Sequence, residues 1–513
     1  MEINQAIPPI LRPNKVKPIS FRALTDHFSL SASVGEAQLT GISMNTADLR
    51  PGDLFVAMPG LKTHGAKYLA KAVELGAVAV ISDREGLELI GETDIPSAQL
   101  ENPREHLGEL AAFVYGNEPG NMPLLFGTTG TNGKTSTTYL LEAILRQIGR
   151  VTGLTSTAER HIAGEIIVSR LTTPESTEMH ALIARMREKG VTDIAIEVSA
   201  QALTQLRVDG MQFDVVGFTN LTHDHFDDYD GFEDYLRAKA KLFTKAKALR
   251  GVVCLDTEYG QRIVELSEVP TKTISSVEGV VADWKVTVTA ELPDKTEFNL
   301  TAPDGTQLAT SVPLLGSHMA LDAGLAIAMI VEAGYSIELI KSSIAEGIEA
   351  YLPGRTELVS PTGAPNVYVD FGHSPDAFAK TLAAVRKVTT GKVLMLFGAD
   401  GDRDASKRPD MAKVAADGCD ILVITDHHPR FENPANIRKI LVESASSHRP
   451  ELEVYEVSSP EAAIRLAVSL VSPGDAILWA GPGHQDYRDI EGVRTPYSAR
   501  AEARAALAEA GYR

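Results

Sequence analysis

The stretch Gly127-Thr-Thr-Gly-Thr-Asn-Gly-Lys-Thr135 carries the residue types that handle phosphate. It follows an apolar run, Leu124-Leu-Phe126. It precedes 136–148, where Leu140, Leu141, Ile144, Leu145 and Ile148 recur at helical spacing. The pattern predicts a strand, a glycine-rich loop and a helix, in that order. Glycines let backbone N–H groups turn inward around phosphate oxygens, and the helix N-terminus adds positive potential. Lys134 reaches the outer phosphates, and Thr135 offers a hydroxyl to Mg²⁺. A strict P-loop has Gly where Thr128 stands, so this is a variant of that loop. Gly130, Thr131, Asn132, Gly133, Lys134, Thr135 and Ser136 are the expected ATP-phosphate contacts.

Polar residues gather where other buried strands are predicted to end. Ile194-Ala-Ile196 leads to Glu197 and Ser199, and Val215-Val-Gly-Phe218 leads to Asn220, Asp224 and His225. Further on, Val367-Tyr-Val369 leads to Asp370 and His373, and Leu394-Met-Leu-Phe397 leads to Asp402, Arg403 and Asp404. Ile421-Leu-Val-Ile424 leads to Asp426, His427, His428 and Arg430, and Ile477-Leu-Trp479 to Gly481, Gly483, His484 and Gln485. Open parallel sheets bind ligands at that edge. Two such sheets facing each other would enclose a cleft with a nucleotide on one side. Thr135, Glu197 and His225 are the candidate Mg²⁺ ligands; an oxygen-rich site suits that ion and tolerates one imidazole.

These elements need more than one core. A chain of 513 residues divides into several domains. Short strand-like runs alternate with helical segments throughout, which gives an α/β class. Pro/Gly-rich joints at 115–123 and 351–355 suggest three parts, 1–120, 121–352 and 353–513. A net charge of −19 argues against nonspecific nucleic-acid binding. Cys254 and Cys419 are too few for a disulfide scaffold and read as reduced core thiols. The Pro- and Asn-rich stretch 1–17 lacks the apolar region of a signal peptide, and no apolar run reaches membrane-spanning length. A cytoplasmic protein without membrane insertion is expected; its oligomeric state is open.

Many short pieces, in order, resemble the Mur ligase family, most closely its MurE branch. They include Pro51-Gly-Asp-Leu-Phe55, Gly130 to Thr135, Thr172-Thr-Pro-Glu175, Glu197-Val-Ser199 and Gln205-Leu-Arg207. Asn220-Leu-Thr-His-Asp-His225, Tyr235-Leu-Arg-Ala-Lys239 and Pro353-Gly-Arg355 follow. Asp370-Phe-Gly-His-Ser-Pro-Asp376, Gly401-Asp-Arg-Asp404, His428-Pro-Arg430 and Gly481-Pro-Gly-His484 complete the set. The resemblance implies a P-loop ATPase between an N-terminal UDP-binding α/β domain and a C-terminal Rossmann-like amino-acid-binding domain. It implies an ATP-dependent ligase that adds a diamino acid to UDP-N-acetylmuramoyl-L-alanyl-D-glutamate through an acyl phosphate, in peptidoglycan precursor synthesis.

Carried over by position, Thr46, Thr172, Thr173, Ser199, Gln205 and Arg207 would hold the UDP substrate. Arg355 and Asp370 would reach the ATP, with Lys134, Lys239 and His225 catalytic. Arg403, His427, His428, Arg430, Gly481 and Gln485 would surround the amino acid. By residue type alone Lys239 is a helix lysine snorkelling to solvent; the family places an N6-carboxylysine there, which requires a neutral amine first.

The chain departs from the family pattern at several points. It has Asn45-Thr-Ala47 where Asp-Ser-Arg is usual, and Ala200-Gln201 where Ser-His is usual. It has His427-His428 in place of Asp-Asn before Pro-Arg, and Gln485 in place of Glu. The amino acid is thus open between meso-diaminopimelate and a monocarboxylic diamino acid such as lysine or ornithine, and the altered motif favours the second group. Two alternatives stand beside this reading: a ligase adding glutamate to folate, and a nucleotide-binding regulatory protein that has lost catalysis.

Overall fold

The computed structural model describes residues 10–33, 35–60, 62–224 and 228–512. Its three main sheets follow one another along the chain. The first has four parallel strands in sequence order, Gly41–Ser43, Asp53–Ala57, Ala79–Ser82 and Ser97–Gln99. Asp53–Ala57 and Ala79–Ser82 are buried along their whole length, as expected of parallel strands covered on both faces.

The second sheet has eleven strands. Its parallel centre runs Thr152–Thr155, Asp193–Glu197, Leu124–Thr129, Phe213–Phe218, Ala248–Cys254, Thr271–Ser275. The phosphate-loop strand Leu124–Thr129 therefore lies between the strands that deliver Glu197 and Asn220. Antiparallel strands Glu159–Ile162 and Glu165–Val168 extend one edge; on the other, Trp284–Leu292 joins in parallel and Lys295–Thr301 and Gln307–Val312 follow antiparallel. Helix Ser317–Glu332 is apolar nearly all round and is buried beside helix Lys134–Gln147.

The third sheet runs Glu357–Leu358, Asn366–Asp370, Ala476–Ala480, Val393–Phe397, Ile421–Ile424, Glu453–Glu456, with only the first pair antiparallel. A separate hairpin, Tyr487–Ile490 with Val493–Pro496, folds against this unit through a bridge from Ile490 to Arg430. Both cysteines are buried and free. Among the described residues no helix is long and apolar enough to cross a membrane.

The first unit is seated on the second through helices Pro103–Tyr115 and Ser176–Glu188. Gly108 and Gly210 make this approach possible: a Cβ on Gly108 would lie 2.1 Å from the Asp209 carbonyl oxygen, and Gly210 has φ +76°. His180 is fully buried at the same seam. Its Nδ1 faces the Asn117 side-chain amide at 3.1 Å and its Nε2 the Asp209 carbonyl at 3.0 Å. Only the neutral ring with hydrogen on Nε2 satisfies both. Burial pulls its pKa from 6.5 to about 4, against the Asp209 carbonyl, which favours the charged form. Between those values the unfolded chain binds a proton here that the folded chain does not, so stability falls as pH falls from 6.5 toward 4. Urea unfolding across that window should show the slope, and His180→Gln should flatten it. An unchanged slope in the variant would remove His180 from the account.

Candidate active site

The phosphate loop is shaped by close packing. Gly133, at φ +85°, has no room for a Cβ, which would lie 2.6 Å from Asp322 Oδ1. The Asn132 N–H donates to Asn220 Oδ1 at 3.0 Å, and Asn220 Nδ2 returns a bond to the Asn132 carbonyl at 3.1 Å. The helix begins at Lys134, two residues earlier than the apolar spacing marks, so the lysine sits on its first turn. Lys134 Nζ donates to the Thr131 carbonyl at 2.8 Å. Burial lowers its pKa, while Glu197 and Asp224 oppose this.

Thr135 joins the second and third units. Its hydroxyl donates to Glu197 Oε2 at 3.0 Å and accepts from Arg355 Nη2 at 3.1 Å. Glu197 also accepts from the Thr157 backbone N–H at 2.8 Å and from the Thr157 hydroxyl at 3.0 Å. Arg355 lies over the Phe371 ring, 4.4 Å from its centroid. Asp370 is the last residue of its strand. Its Oδ1 accepts from the Thr356 N–H at 2.8 Å and its Oδ2 from the Gly372 N–H at 2.6 Å, which fixes the turn that carries Arg355 and Phe371. Asn132 Nδ2 reaches Asp376 across the same seam at 3.0 Å, and Lys407 pairs with Asp224 at 3.0 Å.

Lys239 is 1% exposed, so it does not snorkel. It lies 4.1 Å from the Tyr235 ring centroid and donates from Nζ to the Gly130 carbonyl at 2.6 Å. Burial, with Lys134 nearby, pushes its pKa well below the ordinary lysine value, and Asp224 opposes this only in part. A neutral buried amine is the form that adds CO₂. His225 lies outside the described residues.

These groups line one cleft of about 440 Å³ between the second and third sheets. Lys134, Thr135, Glu197, Thr172, Ser199 and Arg207 face it from the central unit, and Arg355, Asp370, Arg403, His427, Arg430, Gly481 and Gln485 from the third. Thr173 stands behind the wall, where its hydroxyl donates to the Glu197 carbonyl at 2.8 Å and accepts from the Ser199 N–H at 3.1 Å. Gln205 accepts from Arg207 at 2.6 Å, which holds the guanidinium beside Glu175. Thr46 is apart from this cleft, on a short helical turn of the first unit capped by Asn45.

His428 is also behind the wall. Its Nδ1 accepts from the Asp489 N–H at 2.9 Å, so Nε2 carries the hydrogen donated to Gln485 Oε1 at 2.8 Å. Burial and the neighbouring His427 pull its pKa down to about 3. Asp400, His427 and His428 lie close enough to suggest a metal site, but both His428 nitrogens are committed.

Sequence reading missed Thr157, Asp322 and Asp400. Asp400 follows the strand Val393–Phe397 by three residues, and the strand-end pattern that marked Asp402 could have marked it too. Burial pushes the Asp322 carboxyl up to about 8; its place opposite Gly133 has no local sequence signal.

The chain matches the Mur ligase family, catalytic domain, over 38–115. It matches the Mur ligase middle domain over 128–330 and the Mur ligase, glutamate ligase domain, over 354–483. It is 51% identical over 509 residues to the UDP-N-acetylmuramyl-tripeptide synthetase of Leifsonia xyli subsp. xyli, covering 98% of this chain and 99% of that one. It is 39% identical over 502 residues to the UDP-N-acetylmuramoyl-L-alanyl-D-glutamate--2,6-diaminopimelate ligase of Streptomyces coelicolor, covering 97% and 98%. A solved structure of a UDP-N-acetylmuramoyl-L-alanyl-D-glutamate--2,6-diaminopimelate ligase shares the fold at TM-score 0.67 and 23% identity, over 97% of this chain and all of that one. Three successive domain matches and relatives aligned end to end lead to one conclusion: this chain belongs to the Mur ligase family.

Proposed function

We propose that this protein joins a diamino acid to UDP-N-acetylmuramoyl-L-alanyl-D-glutamate at the expense of ATP, forming a peptide bond in peptidoglycan precursor synthesis. The observation that carries the reading is the Thr135 hydroxyl, held between Glu197 of the ATPase sheet and Arg355 of the third unit. A nucleotide phosphate at the loop therefore lies where groups from both units meet. The relatives named as tripeptide synthetase and as 2,6-diaminopimelate ligase favour this reading over a folate ligase or a regulatory protein.

The reaction runs in two halves. The terminal carboxylate of the UDP substrate attacks the γ-phosphorus of ATP, the β–γ bridging oxygen leaves with ADP, and an acyl phosphate results. The amine of the incoming amino acid then attacks the acyl carbon, loses a proton, and inorganic phosphate departs. Loop N–H groups, Lys134 and Arg355 stabilise charge that builds on the transferring phosphoryl oxygens. Lys134 is desolvated, so it gains more from an anion than a lysine in water would. Ser199 and Arg207, with Thr172 beside them, hold the substrate's acyl end near Glu197, while Thr173 positions Ser199 from behind and Gln205 orients Arg207. Thr46 serves the uridine end. A cleft lined from two units places amine and acyl phosphate together and limits water.

Mg²⁺ fits the donors present. The Thr135 hydroxyl and Glu197 carboxylate are hard oxygen ligands 3.0 Å apart at the phosphate loop, with His225 as the third candidate. When bound, the ion would neutralise phosphate charge. Lys239, as the N6-carboxylated side chain, would add a second anionic oxygen donor beside Gly130. The cytoplasm, which supplies ATP, is the compartment that suits this chemistry.

Release of ADP that depends on both the UDP-dipeptide substrate and an amino acid is the direct test. Lys134→Ala should cut turnover by several orders of magnitude while leaving the thermal midpoint nearly unchanged, as expected of a lost charge at a transferring phosphate. Wild-type turnover in that variant would remove the phosphate-loop reading. Lys239→Ala should be inactive, partly rescued by added short carboxylates, and the wild type should lose activity in CO₂-depleted buffer. A fully active alanine variant would show that no carbamate is needed.

A further inference from the structure

Thr157 belongs to no step above, yet it stands between the two ends of the transfer site. Its hydroxyl lies 3.0 Å from Glu197 Oε1 and 3.0 Å from the Thr172 hydroxyl. A hydroxyl has one hydrogen to give. That hydrogen goes to Glu197, so between the two threonines it is Thr172 that donates. Glu197 Oε2 takes its bonds from the Thr157 N–H at 2.8 Å and the Thr135 hydroxyl at 3.0 Å. An unbroken chain of hydrogen bonds thus runs from Thr172 through Thr157 and Glu197 to Thr135, and on to Arg355. Thr172 faces the cleft, and Thr135 sits on the first turn of the phosphate-loop helix. The same atoms allow a second setting. Thr157 then turns its hydrogen to Thr172, Thr172 donates into the cleft, and Glu197 Oε1 loses its donor among the described residues.

The turn that presents Thr157 is held firmly. The Ser156 hydroxyl donates to the Glu159 carbonyl at 3.0 Å and accepts from the Ala158 and Glu159 N–H groups, each at 3.2 Å. Tyr139, on the phosphate-loop helix, donates to Glu159 Oε2 at 2.7 Å. His161 stands between Glu159, at 3.1 Å, and Glu142, at 3.8 Å. Burial works against charge on this ring, but the two carboxylates raise its pKa to about 9, so the imidazolium clamps them near neutral pH. With the turn fixed to the phosphate-loop helix, what can change at Thr157 is the direction of its hydroxyl hydrogen.

We propose that Thr157 couples the UDP-substrate site to the nucleotide site, so that occupancy of either strengthens binding at the other. A ligand N–H or O–H that donates to Thr172 fixes the chain in the direction seen, with Thr157 turned to Glu197. That setting keeps both Glu197 oxygens bonded and the carboxylate aligned with the Thr135 hydroxyl at the phosphate loop. A nucleotide phosphate seated at Thr135, with Glu197 in this place, favours the same setting. It leaves Thr172 as an acceptor toward the cleft, a match for an amide N–H or a hydroxyl and not for a carboxylate. Each ligand selects the state the other requires, and linkage makes the two effects equal. Thr157 acts through Glu197 and Thr172 and is a positioning residue. The proposal rests on the ligase reading above.

The experiment is calorimetric titration of the full chain with UDP-N-acetylmuramoyl-L-alanyl-D-glutamate, with and without Mg²⁺ and the non-hydrolysable analogue AMP-PNP. It is run on wild type, Thr157→Val and Thr157→Ser, with no amino acid present, so binding is read without turnover. In wild type the nucleotide analogue should tighten the UDP-dipeptide about 10-fold, and the UDP-dipeptide should tighten the analogue by the same factor. Thr157→Val keeps the shape and loses the hydroxyl, and should bring that factor close to one. Thr157→Ser keeps the hydroxyl and should retain the factor; its loss there would overturn the proposal even if Thr157→Val did not fold. A purely structural role would weaken binding equally with and without the analogue and leave the factor intact in Thr157→Val, which would also overturn it. If the UDP-dipeptide does not bind wild type at all, the ligase reading itself fails; if it binds without coupling, only the link through Thr157 fails.

Discussion

The Thr135 hydroxyl is the narrowest joint in this molecule. It gives its hydrogen to Glu197 and takes one from Arg355, so a side chain on the first turn of the phosphate-loop helix touches groups from two different units. Such a joint forms only if the C-terminal edges of both sheets face each other. The buried carboxylate of Asp370 fixes the turn that presents Arg355 and Phe371, and Asn132 with Asp376 adds a second tie across the seam. The chemistry then needs little from any one side chain beyond place and charge, which is the character of phosphoryl transfer.

Burial of amines is the second theme. Lys134 and Lys239 are both desolvated near the same loop, and Lys134 further depresses the protonation of Lys239. Asp224 offsets part of this and is itself paired with Lys407 of the third unit. Two buried lysines with so few compensating carboxylates make a site that stabilises anions. Phosphate at Lys134 and a carboxylated Lys239 would both relieve that imbalance. The same logic, with the sign reversed, runs at the other end of the cleft, where Asp400 holds its charge between His427 and Arg430.

Much of this was legible in the residues, for identifiable reasons. The phosphate loop announces itself because glycine, lysine and threonine at fixed spacing have few other uses. Strand ends were legible because buried parallel strands read as short apolar runs, and Glu197, Arg430 and Gly481 fall just past them. Lys239 was misread by residue type: Arg237 and Lys241 flank it, yet Tyr235 and Lys239 stand four apart on the inner face of their helix. His428 and Asp400 exchange prominence in three dimensions. The motif points to His428, but its ring turns away to hold Gln485 and Asp489, while Asp400 faces the cleft. Asp322 reaches the loop from a helix nearly two hundred residues on, and no local pattern encodes such an encounter. The antiparallel strands that widen the central sheet to eleven were likewise not foreseen.

The central claim is that groups from both sheets act together on the phosphoryl transfer, before any amine arrives. Rapid quenching of the wild type with ATP and the UDP-dipeptide, amino acid omitted, followed by borohydride reduction, tests it most directly. The account predicts that the terminal carboxyl is recovered as the alcohol, marking an acyl phosphate, and that Arg355→Ala yields none while it still binds the nucleotide. Undiminished alcohol from Arg355→Ala, or trapping that appears only when an amino acid is added, would contradict it.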